Sequence, residues 1–419
     1  MRKILIIYPH FPPSNLVGIH RIRLFANHLP SLGWEPIILT VHEDYYEENQ
    51  DHNLVKLLPQ NLRIEKVKAF RVTKPRLIGD IGMRAFFQLK RKANDILKNE
   101  KIDFVLFSIP SFYCALIGRF LKNPNGVKYG VDYQDPWVHF FPGSNKVFSR
   151  HWFSTKIAKI LEPIAVKKAS LICGIADGYY MPVLERNPKL KNVVHGAMPM
   201  GGEESDYEFV NKLNIKPYLF SKNNQLKLVY AGALLPKAYA ILEKVFESIF
   251  NNIDLFNEIE FHFIGTGSIA ADANSNTIKP IAEKYNLWQN IVFEYAGRIP
   301  YLDVLIHLNI ADAIFILGST EPHYTPSKVY QGVLSAKPIF AILHEQSTAK
   351  NIIEKSNSGL VVPINGQELE SFNPIFLEKF IAFKSFIKNY DSSLTDKKYF
   401  EEFTALSVTK KLVQFLDKI

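Results

Sequence analysis

Short apolar runs, separated by amphipathic stretches long enough to form a helix, recur along the chain in two successive series. This feature constrains the fold most. Parallel strands cannot be joined by tight hairpins and need crossovers of a dozen or more residues, so this alternation predicts parallel sheet covered on both faces by helices. The first series is KILIIY at Lys3–Tyr8, PIILTV at Pro36–Val41, DFVLFSI at 103–109, VKYGVD at 127–132 and SLICGI at 170–175. The second opens with LKLVYAG at 226–232 and continues through IEFHFIG, IVFEYAG, DAIFILG and PIFAIL. Helical spacing of apolar residues predicts helices over Gly18–Leu32, Tyr239–Phe250 and Ser327–Ala336, with a helical tail from about Pro374. Between the series, Met198–Asn224 is rich in Gly, Pro, Asn and charge and reads as a linker. A chain of 419 residues suits two domains of roughly 200 each. The expectation is α/β, with two doubly wound domains: 1–200 joined by the C-terminal helix 396–419, a linker at 201–224, and 225–395.

Composition excludes several classes. Apolar residues make up 47% and charged residues 22%, which is globular and not disordered. Only Cys114 and Cys173 occur, too few for a disulfide framework or a cysteine zinc site. The twelve histidines lack metal-ligand spacing, and no Gly-x-Ser-x-Gly elbow or phosphate-binding P-loop occurs. No bound metal and no resident cofactor are expected. The leading apolar run, Ile4–Tyr8, is shorter than a signal-peptide core, and no run reaches the ~18–20 residues of a membrane span. A cytoplasmic protein is expected, with peripheral attachment at the inner membrane face as an option.

Charge is unevenly spread. Of 50 Lys and Arg and 41 Asp and Glu, residues 1–200 hold 29 and 16, so the first half is strongly cationic and suggests an anionic partner. The cations from Arg84 through Arg91 and Lys92 to Lys101 accompany an apolar stripe of Ala85, Phe86, Leu89, Ala93, Ile96 and Leu97. Such a helix either packs its stripe on its own sheet or lies on an anionic bilayer. No nucleic-acid motif accompanies the charge, so nucleic acid is not an expected partner.

The second series ends its strands in Gly232, Gly265, Gly297 and Gly318. Glycine is a common strand terminator. Four at equivalent places in a doubly wound sheet also suit a nucleotide cleft, because ligands bind at the carboxyl ends of strands. Gly265-Thr-Gly-Ser-Ile-Ala270 formally matches a dinucleotide fingerprint with Glu283 downstream, but it follows an internal strand, which argues against a dehydrogenase. The densest constellation is Glu321-Pro-His-Tyr-Thr-Pro-Ser-Lys328-Val-Tyr-Gln331. It reads either as a capped helix with a solvent lysine or as a diphosphate cradle.

Taken in order, YAGALLPK, FHFIGTG, YAGRIP, ADAIFILGSTE and TPSKVYQGVLSAKPIFAI resemble the retaining glycosyltransferases of family four. VDYQDPW at 131–137 resembles the matching stretch of their bacterial cell-surface polysaccharide members. The resemblance implies the GT-B fold, two Rossmann-like domains facing a central cleft, and sugar transfer from a nucleotide-sugar to a sugar or lipid-linked acceptor. It implies donor contacts from Gly18, Gly232, Lys237, Gly265, Arg298, Ser327, Lys328 and Gln331. Glu321 and Asp135 would be catalytic, while Ser14, His20, Asp132 and Trp137 would lie on the acceptor side. Three features depart from the family pattern: Gln331 stands where a ribose-binding Glu is usual, Ala233 where an Arg is usual, and Glu321 matches the family's first Glu only with two residues inserted before Gln331. A nucleotide-sugar 2-epimerase and a non-catalytic nucleotide-sugar-binding protein remain as alternatives.

Overall fold

The computed structural model describes the chain except residues 77, 123–125, 140–145, 191, 214, 268–274, 323 and 367–370. It divides into two compact units, Met1–Met200 with Ala405–Ile419, and Gly201–Thr404.

Unit 1 holds strands β1 (Arg2–Ile7), β2 (Trp34–Val41), β3 (Arg63–Val67), β4 (Phe104–Ile109), β5 (Lys128–Tyr133), β6 (Leu171–Gly174) and β7 (Val194–Ala197). Their order is β3-β2-β1-β4-β5-β6-β7, and every pair is parallel. The order reverses between β1 and β4. The central strands are buried on both faces, which explains their near-continuous apolar runs.

Strands β3 and β7 have no counterpart in the sequence reading, and both lie at sheet edges. The sequence of β3, RIEKV, is mostly charged, as suits an edge that must resist pairing with another chain. Its charges are locally matched: Arg63 pairs with Glu65 and Glu100, Lys92 with Glu65, and Lys66 with Glu43. Part of the first half's cationic surplus is therefore neutralised on the edge.

The helix Phe86–Asn99 turns Leu89, Ala93, Ile96 and Leu97 into the unit 1 core. Its apolar stripe thus packs on its own sheet, the simpler of the two sequence readings, and is not available to a bilayer. Among the described residues, no helix is long and apolar enough to cross a membrane.

Unit 2 holds β8 (Leu226–Ala231), β9 (Ile259–Ile264), β10 (Val292–Tyr295), β11 (Ala313–Leu317), β12 (Ile339–His344) and β13 (Gly359–Ile364). The order β10-β9-β8-β11-β12-β13 is again parallel and reverses between β8 and β11. Its core is rich in phenylalanine: Phe376 and Phe380 of the helix Phe372–Lys388 stack on Phe256.

The segment read as a linker, 201–224, carries a helix at Glu204–Lys212 that belongs to unit 2. Tyr207 Oη donates to the Gln331 carbonyl at 2.8 Å, and Tyr301 Oη to Asp206 at 2.9 Å. The terminal helix Ala405–Leu416 packs in unit 1 on the helix Gly18–His28. Phe415 fills the space beside Gly196, and Asp417 pairs with Arg2 at 2.7 Å.

Candidate functional site

In unit 2 the carboxyl ends of β8, β9 and β11 converge at the reversal of strand order, the place where doubly wound sheets bind ligands. Gly232 and Gly265 follow β8 and β9 with φ of +111° and +69°, conformations that side chains rarely adopt. Their Cα positions are close: a Cβ built on Gly265 would lie 3.9 Å from the Cα of Gly232 and of Arg298. A Cβ on Gly232 would meet Lys328 Cε at 3.0 Å and Nζ at 3.2 Å. The bare glycine is therefore what lets the Lys328 ammonium lie against the end of β8.

Lys328 opens the helix Lys328–Leu334, with Ser327 immediately before it. Its Nζ sits 4.8 Å over the centroid of the buried Tyr230 ring, a cation–π contact. Burial, with the Arg298 charge nearby, pushes Lys328 down to about 8. Among the described residues no carboxylate pairs with it. A lysine without a carboxylate partner among the described residues, with the Arg298 charge nearby and two positive-φ glycine turns beside it, has the chemistry to accept an anion.

Lys237 and Glu321 lie beside this cluster in a different state. Lys237 Nζ bonds Glu321 Oε1 at 3.0 Å, and the Glu321 backbone N–H donates to Ser319 Oγ at 3.2 Å. The loop carrying Glu321 is braced by Ser347 Oγ donating to the Tyr324 carbonyl and by a Thr325–Thr348 hydroxyl contact. Gln331 lies one turn beyond Lys328, half-buried, with its carbonyl held by Tyr207. The site residues assigned to unit 2 are thus gathered at one end of one sheet.

Two residues the sequence reading missed shape this end. Tyr230 forms the floor under Lys328, and its place as the penultimate residue of an apolar strand gave no sign of that. Glu294 on β10 anchors the loop after β9, accepting from the backbone N–H groups of Thr277, Ile278 and Lys279 and from the Thr266 hydroxyl. The dinucleotide-like match does not fit: Glu283 is exposed and forms a helical pair with Lys279 at 3.6 Å. Residues 268–270 of that match lie outside the described residues.

In unit 1 the corresponding strand ends are arranged differently. Asp132 is fully buried and takes a bidentate pair from Arg21, Nε at 2.6 Å and Nη2 at 2.8 Å. Ser108 Oγ donates to the same carboxylate at 2.9 Å, Gln134 Nε2 donates to Ser108 Oγ, and Arg21 Nη1 reaches the Pro199 carbonyl. Asp132 therefore ties strands and helix together and offers no carboxylate to a ligand, contrary to its expected acceptor-side place. Trp137 is also buried, stacked on Phe112 at 5.8 Å. Ser14 is buried and hydrogen-bonds Glu48 at 2.5 Å, beside the His10–Glu48 contact at 2.7 Å. Burial alone would raise Glu48, but the His10 and Ser14 contacts outweigh it and hold the carboxyl below its ordinary range. Burial drives His20 well below its ordinary value, with Arg23 adding to the effect, so it is neutral at pH 7.

Gly18, the first residue of its helix, leaves room for the Tyr8 hydroxyl, which a Cβ would meet at 2.1 Å. Asp135 differs from Asp132: its side chain reaches solvent, yet the surrounding protein pushes its carboxyl up to about 6. Among the described residues there is no group of three or more His, Cys, Asp or Glu placed to hold a metal ion.

No protein-family model matches the chain, and no curated protein matches it by sequence. Solved structures match it along its whole length. Sucrose-phosphate synthase from Thermosynechococcus elongatus aligns over 100% of this chain and 99% of its own, with TM-score 0.65 and 12% identity. A glycosyltransferase from Rickettsia africae aligns over 100% and 98%, with TM-score 0.63 and 17% identity. Anabaena HepE, solved in complex with UDP-glucose, aligns over 100% of both chains, with TM-score 0.63 and 13% identity. These neighbours establish the fold class as GT-B, with its two Rossmann-like units.

Proposed function

We propose that this protein is a glycosyltransferase of the retaining, family-four kind, moving a sugar from a nucleoside-diphosphate sugar to an acceptor hydroxyl in polysaccharide or glycolipid synthesis. The observation that carries this reading is the Lys328 ammonium, without a carboxylate partner among the described residues, lying against Gly232 at the strand-order reversal of unit 2, with Arg298 nearby. The GT-B fold supports it.

In this reading the diphosphate sits against Lys328 and beside the Gly232 and Gly265 turns, whose own N–H groups are held by the Ile264 and Tyr295 carbonyls, near the start of the helix Lys328–Leu334. Lys237 exchanges its Glu321 partner for phosphate, and Glu321 turns to the donor sugar. Gln331 takes the ribose hydroxyls as a neutral hydrogen-bonding group. In the reaction the bond from the anomeric carbon to the β-phosphate oxygen breaks and the acceptor oxygen bonds to that carbon. The acceptor proton passes to the departing phosphate, and a nucleoside diphosphate leaves. Negative charge grows on that leaving group, so fixed cations and N–H groups at this place lower the barrier electrostatically. Asp135 is the second catalytic carboxylate of this reading.

The test is a thermal-shift screen against UDP-, GDP- and dTDP-sugars, followed by turnover assays with the stabilising donor. A bound donor raises the melting temperature by mass action. Stabilisation by one nucleotide class, with nucleoside diphosphate released only when acceptor is present, supports the reading. Epimerised free sugar in the absence of acceptor replaces it with a 2-epimerase, and binding without turnover across an acceptor panel replaces it with a binding protein.

A further inference from the structure

The helix Arg150–Val166 carries two apolar faces. One turns Ala158, Ala165 and Val166 into the unit 1 core, where Tyr129 Oη donates to the Ala165 carbonyl and buried Glu162 pairs with Arg186. At roughly 100° per residue, Phe153, Ile157, Ile160 and Ile164 fall together on nearly the opposite side. They are exposed by 47%, 43%, 65% and 37%. The stripe continues at its N-terminal end into Val147 and Phe148, the latter 77% exposed and clustered with Trp152 and Phe153. Scattered exposed apolar residues are ordinary, whereas a continuous apolar ridge on a helix anchored by its other side marks an interaction surface.

The surrounding charge identifies the partner. Lys146, Arg150, Lys156, Lys159, Lys167 and Lys168 are all exposed along this segment. Glu162 is the single acidic residue between 146 and 168, and it is buried. We propose that this face docks on an anionic lipid bilayer, with the isoleucines and the Phe148–Trp152–Phe153 cluster entering the headgroup boundary and the cations meeting lipid phosphates. A second copy of the chain fits less well, because a two-fold interface would set this cationic rim against itself. The helix Phe86–Asn99 is also basic, but its apolar residues are spent on the core.

The experiment is co-sedimentation of the full-length protein with phosphatidylcholine vesicles, with and without 30% phosphatidylglycerol, at low and high salt. Binding should require the anionic lipid, fall steeply with salt and drop at least tenfold in an Ile157→Ser/Ile160→Ser variant. Lys156→Glu/Lys159→Glu should act likewise, whereas Arg91→Glu/Lys98→Glu on the other helix should bind as wild type. Far-ultraviolet circular dichroism confirms that the variants fold, and unchanged nucleotide binding separates this surface from the unit 2 site. Absence of binding to anionic vesicles at low salt overturns the proposal. So does wild-type binding by the serine variant, or a concentration-dependent dimer that the serine variant abolishes.

Discussion

The two sheets share a topology, yet the charges at their carboxyl ends are used in opposite ways. In unit 1 the strongest ions are satisfied by each other: Arg21 clasps Asp132 out of solvent, with Ser108 and Gln134 completing the network. In unit 2 Lys328 is held against an aromatic ring and a bare glycine with the Arg298 charge nearby, and among the described residues no carboxylate pairs with it. A satisfied ion pair is architecture, while a cation pressed on a ring with no carboxylate among the described residues has the chemistry to take an anion. The difference separates residues that build a strand end from residues that we propose bind there.

The largest expected effect comes from breaking the unit 1 network. Arg21→Ala leaves Asp132 buried and uncompensated and should cost roughly 3–5 kcal/mol of stability by denaturant titration. If it unfolds no earlier than wild type, the two strand ends do not differ as described. Gly232→Ala comes next. A φ of +111° strains any side chain, and the new Cβ presses on Lys328 Cε, so stability should fall by roughly 1–3 kcal/mol and nucleotide affinity should fall with it. Undiminished affinity in that variant would detach Lys328 from the binding role.

A smaller effect attaches to Asp135. Its folded carboxyl titrates near 6, above the ordinary 3.8, so the folded state holds the proton longer than the unfolded state does. Stability should therefore fall as pH rises from about 4 to 6 and level off above that. Asp135→Asn should remove this slope in melting temperatures recorded across the range, and an unaltered slope would assign it to other groups.

Much of this architecture was legible because buried parallel strands leave uninterrupted apolar runs. The edge strands β3 and β7 were not legible, since RIEKV and VHGA carry no such run and depend on a neighbour for definition, whereas β13, GLVVPI, carries one and was still not read as a strand. The clustering of Gly232, Gly265 and Lys328 in unit 2 could be read from glycines at strand ends followed by a Pro-Ser-Lys helix start. Asp132 and Trp137 misled, because a carboxylate in a motif looks the same whether its partner is Arg21, 111 residues away, or a ligand. The helix Arg150–Val166 was hidden for another reason: apolar residues on opposite faces cancel the amphipathic pattern that reveals a surface helix.

The most direct test of the central claim is calorimetric titration of UDP and GDP between pH 7 and 9.5 with wild type and Lys328→Met. The terminal phosphate is mostly ionised from pH 7 upward and the uracil and guanine rings lose their protons only toward pH 9.5, so the change near pH 8 that Lys328→Met removes belongs to Lys328. Its free ammonium titrates near 8, and a bound diphosphate would raise that value. Wild-type affinity for the recognised nucleotide should therefore weaken as pH rises through 8, with proton uptake on binding. Lys328→Met should bind weaker at pH 7 by roughly 1.5–3 kcal/mol and lose that pH dependence. Affinity that is flat with pH and equal in both proteins, or no binding of either nucleotide, would contradict the assignment of this strand end as the donor site.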